Sequence, residues 1–361
     1  MTFPEAARTP VSIITGFLGS GKTTLLNHVL ADPGMAGAAV IINEFGEIGL
    51  DHLLIATPNE NTVLLASGCI CCTVRGDLVD TLRDLDAKRR DGGVPPFDRV
   101  LIETTGLADP VPIIQTVIAD EKIAPRFEMD GVVTLVDAVN GMTQLDHQPE
   151  AVKQAAVADR LLLTKTDIAD AAQIAVLRER LVQLNPGVSI QMVSQGKIDP
   201  AELFGVALKA ESPSSDFARW LRDEAVAKAE YKPAHRQHHH DDHIRAHCVY
   251  LDEPVSRMGM TAWLTALASL RGANLLRVKA LLNVEGEPVV VHAVQTLIHE
   301  PIALMHWPDA DRRSRLVFIT RDMARADIEA TLDMLRLKPA NPARLDPRAY
   351  ANFVAAMNKV R

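Results

Sequence analysis

Aromatic side chains are scarce in this chain, 4% of 361 residues, while Val, Ile, Leu and Ala abound. Branched aliphatics in such excess favour a parallel sheet buried on both faces and flanked by helices. Positive charge is not in excess either: 38 basic residues face 46 acidic ones, for a net charge of −8. That balance argues against a nucleic-acid partner. No apolar run approaches the ~18 residues that a membrane span needs. The opening MTFPEAARTP has no charged stretch leading into an apolar one, so no secretory leader is expected. A cytoplasmic location follows, where thiols are kept reduced. Cysteine is nearly missing too, with four in the chain, and three of those sit in one stretch, SGCICC (Ser67–Cys72). In a reducing compartment, and this close together, Cys69, Cys71 and Cys72 are not a disulfide framework. Soft-metal ligation or a redox role remains.

What the chain does have is a regular alternation over its first two hundred residues. Apolar runs at 11–15, 38–42, 99–103, 131–136, 160–164 and 188–193 are separated by amphipathic segments such as TTLLNHVL and AAQIAVLRERLVQL. Short continuous runs of this kind suit strands covered on both sides. The alternation predicts an α/β, doubly wound and mostly parallel sheet over 1–210. The stretch 211–245, with ESPSSDF and YKPAHRQHHHDDHIRAH, is polar and has no apolar face, so it reads as a His-rich linker. A strand, a helix, three strand-like runs and a second helix then predict a small α+β domain over 246–336, followed by a tail at 337–361.

GFLGSGKTT (Gly16–Thr24) fits G-x-x-x-x-G-K-[ST] and lies between the run VSIIT and a helical segment. That context marks a phosphate loop. Gly16, Gly19, Ser20, Gly21 and Thr24 form the cradle, in which backbone N–H groups and a helix N-terminus face the phosphates. Lys22 is expected to reach the β- and γ-phosphates, and the Thr23 hydroxyl to bind Mg²⁺. Glu103 ends the apolar run RVLIE and supplies a second Mg²⁺ ligand, while Asp109 better suits a helix cap. Gly106 is placed to sense the γ-phosphate through its backbone N–H. The segment TKTD (Thr164, Lys165, Asp167) resembles the guanine-reading N-K-x-D motif, with Thr164 in place of Asn. An aspartate there matches the donors of guanine, whereas adenine would leave the carboxylate unpaired. Ser194, in the following SQG, is placed to close over the base.

The thiols offer an incomplete ligand set for Zn²⁺ or a similar ion, as a transfer site requires. Glu44 and Glu47 lie in NEFGEIGLD (43–51), a loop placed to respond to Mg²⁺ and the γ-phosphate. Either could orient the attacking water, and Glu47 could also lend a carboxylate to the metal held by the thiols. Six of the twelve histidines fall in HRQHHHDDHIRAH, where His238, His239, His240 and His243 form a weak acquisition site for metal. His292, His299 and His306 recur every seven residues, but a strand is not expected to gather them on one side. Cys248, in an apolar run, reads as core.

With GFLGSGKTT, NEFGEIGLD, GCICC, ETTGLADP and ADRLLLTKTD in this order, the chain resembles the CobW-type family of metal-handling P-loop GTPases. LLRVKALLNVEGEP, VHAVQTLIH and SRLVFI look like the C-terminal domain of that family, so the resemblance covers nearly the whole chain. It implies a SIMIBI-class GTPase that uses GTP with Mg²⁺ and carries zinc or cobalt (Zn²⁺ or Co²⁺) to a client metalloprotein. The family's CxCC falls on Cys69, Cys71 and Cys72, its Walker B acid on Glu103, and its guanine motif on Thr164, Lys165 and Asp167. Cobalt-handling activators of cobalamin synthesis or nitrile hydratase type, and a metal buffer with weak nucleotide turnover, remain alternatives. The oligomeric state is open, a homo-oligomer among the options.

Overall fold

A computed structural model describes residues 8–43, 63–67, 75–205, 244–269, 274–295 and 297–338. The first domain is built on a sheet of seven parallel strands: β1 (Thr9–Gly16), β2 (Ala38–Asn43), β3 (Val63–Ser67), β4 (Arg99–Glu103), β5 (Phe127–Asp137), β6 (Arg160–Thr164) and β7 (Ser189–Met192). Their spatial order is β3-β2-β4-β1-β5-β6-β7, and every pairing is parallel. The sheet has one strand more than the apolar runs predict. β3 follows the polar ATPNENT, and its apolar stretch VLLA is only four residues long. Successive residues of β1 point to opposite faces. Ile13 packs with Leu78, Leu82 and Ile113, while Ile14 packs with Leu25, Leu26 and Val29. Each such side chain contributes roughly 1.5–3 kcal/mol by leaving water. The helices that cover the two faces are α1 (Lys22–Leu30), α2 (Arg75–Arg90), α3 (Val111–Ala119), α4 (Gly141–His147), α5 (Pro149–Ala156), α6 (Ala171–Leu184) and the short α7 (Pro200–Leu203).

The second domain holds β8 (Ile244–Leu251), α8 (Arg257–Ser269), β9 (Leu275–Val284), β10 (Glu287–Val294), β11 (Leu297–Ile298), β12 (Ile302–Ala303), β13 (Ser314–Arg321) and α9 (Arg325–Leu332). Its sheet is antiparallel, in the order β11-β10-β9-β13-β8 with β12 also on β10. β8 starts at Ile244, two residues inside the stretch that reads as linker. α8 and α9 cover one face of this sheet. There Trp263 is fully buried, meets Phe318 edge to face at 6.2 Å, and donates its indole N–H to Thr331. Cys248 is buried beside Leu281, Val290 and Val317, the core role expected of it.

The two domains share an apolar cluster. Leu276, Ile319, Ile244 and Ala246 of the second pack with Ala151, Val152, Ala155 and Leu161 of the first. Arg277 on β9 crosses the junction to hydrogen-bond the Val157 carbonyl and the Asp159 carboxylate. Among the described residues, no helix is long and apolar enough to cross a membrane.

Candidate functional site

In a parallel sheet all strands end on the same edge, and ligands bind in the crevice beyond those carboxyl ends. Here the carboxyl edge carries the sequence motifs. β1 runs into the phosphate loop and α1, β4 ends at Glu103, β6 ends at Thr164, and the Ser194 turn follows β7. From β1 the chain leads to β2 and β3 on one side of the sheet, and from its neighbour β5 to β6 and β7 on the other, so the connections part at β1. The phosphate loop therefore occupies the topological switch point.

The local sequence builds the cradle. Gly16 has φ of 144° and Gly21 has φ of 96°, left-handed conformations in which a Cβ is strained. A Cβ on Gly16 would also lie 2.4 Å from the Leu135 carbonyl oxygen. Helix α1 starts with no side-chain cap and no acidic residue in its first turn, so its leading N–H groups are left for an anion. The Ser20 side chain is fully buried, and its hydroxyl has no hydrogen-bond partner among the described residues. Lys22 folds back and donates to the carbonyls of Gly16 at 2.8 Å and Phe17 at 3.3 Å. Thr23 is half-buried and Thr24 exposed in the same first turn. Open donors, a lysine and a left-handed turn together fit a nucleotide phosphate.

Glu103 is 4% exposed and sits in register beside Ile14 on β1 and Ile42 on β2, between the phosphate loop and β2. A buried carboxylate at that place fits a Mg²⁺ ligand. Asp109 accepts the Val111 N–H at 3.0 Å at the start of α3 and pairs with Lys153, the capping role that its sequence context predicts. Gly106 lies against the phosphate loop. A Cβ there would approach the Leu18 nitrogen to 2.6 Å, so only glycine allows the β4 loop and the phosphate loop to touch.

The guanine segment is tied to the phosphate loop. Thr164 Oγ1 donates to the Ser20 carbonyl at 2.7 Å, a bond within reach of a threonine's short side chain. The substitution of Thr for Asn therefore keeps a link between the two loops. Lys165 adopts φ of 57° and donates to Asp137 Oδ2 at 2.7 Å. Burial alone would raise the Asp137 carboxyl. Hydrogen bonds from Lys165, Asn140 and the Val139 and Asn140 backbone outweigh it and hold the group below its ordinary value. Asp167 is exposed at the rim, and the Ser194 turn packs on the first turn of α1 through Gly196 and Thr24. Asp137 has no motif of its own in the sequence. Its only signal is its place at the end of an apolar run, one strand away from TKTD.

Glu44, Glu47, Cys69, Cys71, Cys72, His238, His239, His240 and His243 lie outside the described residues. Among the described residues, no group of three or more His, Cys, Asp and Glu side chains could hold a metal ion. The structure corrects one expectation. His292 and His299 do meet, with ring centroids 6.2 Å apart. The chain reverses between β10 and β11, pairing Ala293 with Ile298, so residues seven apart in sequence become neighbours across the hairpin. His306 is exposed. The two rings line a cavity of about 750 Å³ at the domain junction, together with Asp159 and Arg277, away from the phosphate loop.

Comparison with known proteins agrees with this geometry. The family described as CobW/HypB/UreG, nucleotide-binding domain, matches residues 10–192. The cobalamin synthesis protein cobW C-terminal domain matches residues 244–336. The chain is 37% identical over 329 residues to zinc chaperone YjiA of Escherichia coli strain K12, covering 90% of this chain and 98% of that protein. It is 31% identical over 360 residues to zinc chaperone CobW of Pseudomonas aeruginosa, covering 89% of this chain and 90% of the relative. The crystal structure of Zn(II)-bound YjiA GTPase from E. coli superposes with a TM-score of 0.66 at 31% identity, over 92% of this chain and 100% of the other.

Proposed function

The chain belongs to the CobW/HypB/UreG family of P-loop GTPases, and from that premise we propose that it is a GTP-hydrolysing metallochaperone. Its cargo is a transition metal, zinc foremost, taken at Cys69, Cys71 and Cys72 and passed to a client metalloprotein. The observation that carries the proposal is the convergence of the phosphate loop, Glu103 and the Thr164–Lys165 segment on one sheet edge, locked by the Thr164–Ser20 hydrogen bond. The names and the bound Zn(II) of the relatives support zinc as the cargo. Thiolate ligands of this kind stay available in a reducing cytosol.

Hydrolysis in such a site is mostly positioning and charge stabilisation. Lys22 leaves the Gly16 and Phe17 carbonyls for the β- and γ-phosphates. Thr23 and Glu103 hold Mg²⁺, which when bound neutralises charge that develops toward the leaving diphosphate. Glu44 or Glu47 orients a water that attacks the γ-phosphorus in line. The bond to the bridging oxygen breaks, and GDP and phosphate result. Gly106, against the phosphate loop, reports whether the γ-phosphate is present. The 43–51 loop closes on GTP and completes the metal site with Glu47, and hydrolysis or contact with the client loosens it. The histidines of the linker, His238, His239, His240 and His243, collect metal weakly beforehand.

The test pairs hydrolysis with metal affinity. Lys22→Ala should lower GTP turnover by at least about a hundredfold, and Zn²⁺ should bind more tightly with a non-hydrolysable GTP analogue than with GDP. Undiminished turnover in the variant, or equal Zn²⁺ affinity in the two nucleotide states, would refute the proposal.

A further inference from the structure

Helix α5 touches both halves of the molecule, and its sequence PEAVKQAA carries no nucleotide motif. Gln154 on this helix is 1% exposed. Its Nε2 donates to the Gly106 carbonyl at 3.1 Å and to the Ala108 carbonyl at 2.9 Å. Two carbonyls facing one end of the amide settle which end is the nitrogen. Its neighbour Lys153 pairs with Asp109 in the same loop. The segment 106–109 after β4 is therefore held at three points by consecutive residues of α5. The helix is itself anchored to the sheet, because Thr134 Oγ1 donates to the Gln154 carbonyl at 3.0 Å.

The residues that directly follow Gln154, at the C-terminal end of α5 and just past it, are held by different partners. Asn185 Nδ2 donates to the carbonyls of Ala155, Ala156 and Ala158. Arg277 of the second domain takes the Val157 carbonyl and the Asp159 carboxylate. Leu276, Ile319 and Ile244 of the same domain pack in one apolar cluster with Ala151, Val152, Ala155 and Ala156. Gln154 and the Val157 carbonyl taken by Arg277 are three residues apart, about 4.5 Å along the helix axis. Nothing in that length is soft, since small buried side chains and satisfied carbonyls leave it no room to bend. A shift of the 106–109 loop must either break the Gln154 bonds or move α5 against Arg277.

We propose that Gln154 positions the γ-phosphate-sensing loop and that α5 carries the nucleotide state to the second domain through Arg277. The inference rests on the GTPase reading above, in which Gly106 discriminates GTP from GDP. It gives the second domain a role: its central strand β9 is the receiver of the nucleotide signal. The two ends of the coupling are joined by one rigid element that contacts both, rather than by a chain of intermediates.

The experiment uses the full chain and measures equilibrium affinity for GDP and for a non-hydrolysable GTP analogue. In Gln154→Met, which keeps length and loses both donors, GDP affinity should stay within about twofold while the analogue binds about tenfold more weakly. Lys153→Met, at a partly exposed position, should shift the same ratio in the same direction and guards against a folding defect in the first variant. A purely structural role would move both nucleotides together. Amide exchange in 275–284 should differ between the GDP and GTP-analogue states of the wild type, and the difference should vanish in Gln154→Met. An unchanged affinity ratio in both variants, or β9 exchange indifferent to nucleotide in the wild type, overturns this inference alone. A wild-type chain that binds neither nucleotide overturns it together with the GTPase reading.

Discussion

Replacing Asp137 by Asn tests how Lys165, the lysine proposed to pack along the base, is held. Asp137 is 1% exposed and accepts from Lys165 at 2.7 Å, from Asn140 Nδ2 at 2.9 Å, and from the Val139 and Asn140 N–H groups at 2.8 and 3.2 Å. Asn keeps the shape but removes the charge and turns an NH₂ toward a set of donors. A hydrogen bond to a charged group contributes about 1.5–3 kcal/mol. The Lys165 end is 36% exposed, so solvent screening reduces the share felt by the nucleotide to about 1.4 kcal/mol. That energy is about tenfold in affinity. Titration with a fluorescent GDP should show the weakening, and an adenine nucleotide should be unaffected, so base preference narrows. Thermal unfolding followed by circular dichroism separates this from loss of fold. A folded Asp137→Asn chain that binds GDP within twofold of wild type would mean that Lys165 is positioned by something other than Asp137.

Three further outcomes follow from the geometry. Gly106→Ala should push the β4 loop off the phosphate loop, because the new methyl would sit 2.6 Å from the Leu18 nitrogen. GTP turnover should fall at least about tenfold, as a backbone shift at a sensing loop misaligns bound phosphate; wild-type turnover would exclude contact between the loops in the working state. At the domain junction, burial would raise the Asp159 carboxyl, but Arg277, Lys279, His292 and the Val132 N–H lower it from 3.8 to about 2. A depressed carboxylate stabilises the fold above its unfolded value and loses that contribution as pH falls from about 4 toward 2. Asp159→Asn should therefore cost about 2 kcal/mol at pH 7 in chemical denaturation and lack that acid-dependent part; a profile parallel to wild type would refute it. A further loss should begin as pH falls below 6.5, since burial, then Lys279, Arg277 and His299, outweigh Asp159 and hold His292 well below that value; a denaturation profile flat from pH 7 to 5 would refute it.

Much of the fold was legible because apolar runs between amphipathic helices have one stable arrangement, a parallel sheet covered on both faces. β3 was not among the runs picked out, although its VLLA is as apolar as the cores of RVLIE and RLLLT; it leads directly into the cysteine cluster, and no amphipathic segment precedes it to mark a strand. His292 and His299 were misjudged for a related reason. Periodicity along a strand says nothing about what a hairpin reversal brings opposite.

The sequence by itself determined the order and spacing of GFLGSGKTT, the acid at the end of β4 and TKTD, the pattern on which the proposed phosphate, metal and base roles rest, since each depends on neighbouring residues in a fixed order. It also determined the thiol triplet, whose chemistry is local whatever surrounds it. Tertiary structure alone decided what holds these pieces in relation to one another. Thr164 reaching Ser20, Asp137 holding Lys165, Gln154 gripping the 106–109 loop and Arg277 taking the Val157 carbonyl just past α5 join residues from 28 to 144 positions apart. Such pairings exist only once strands lie side by side, because their energy comes from donors and acceptors that folding has withdrawn from water together.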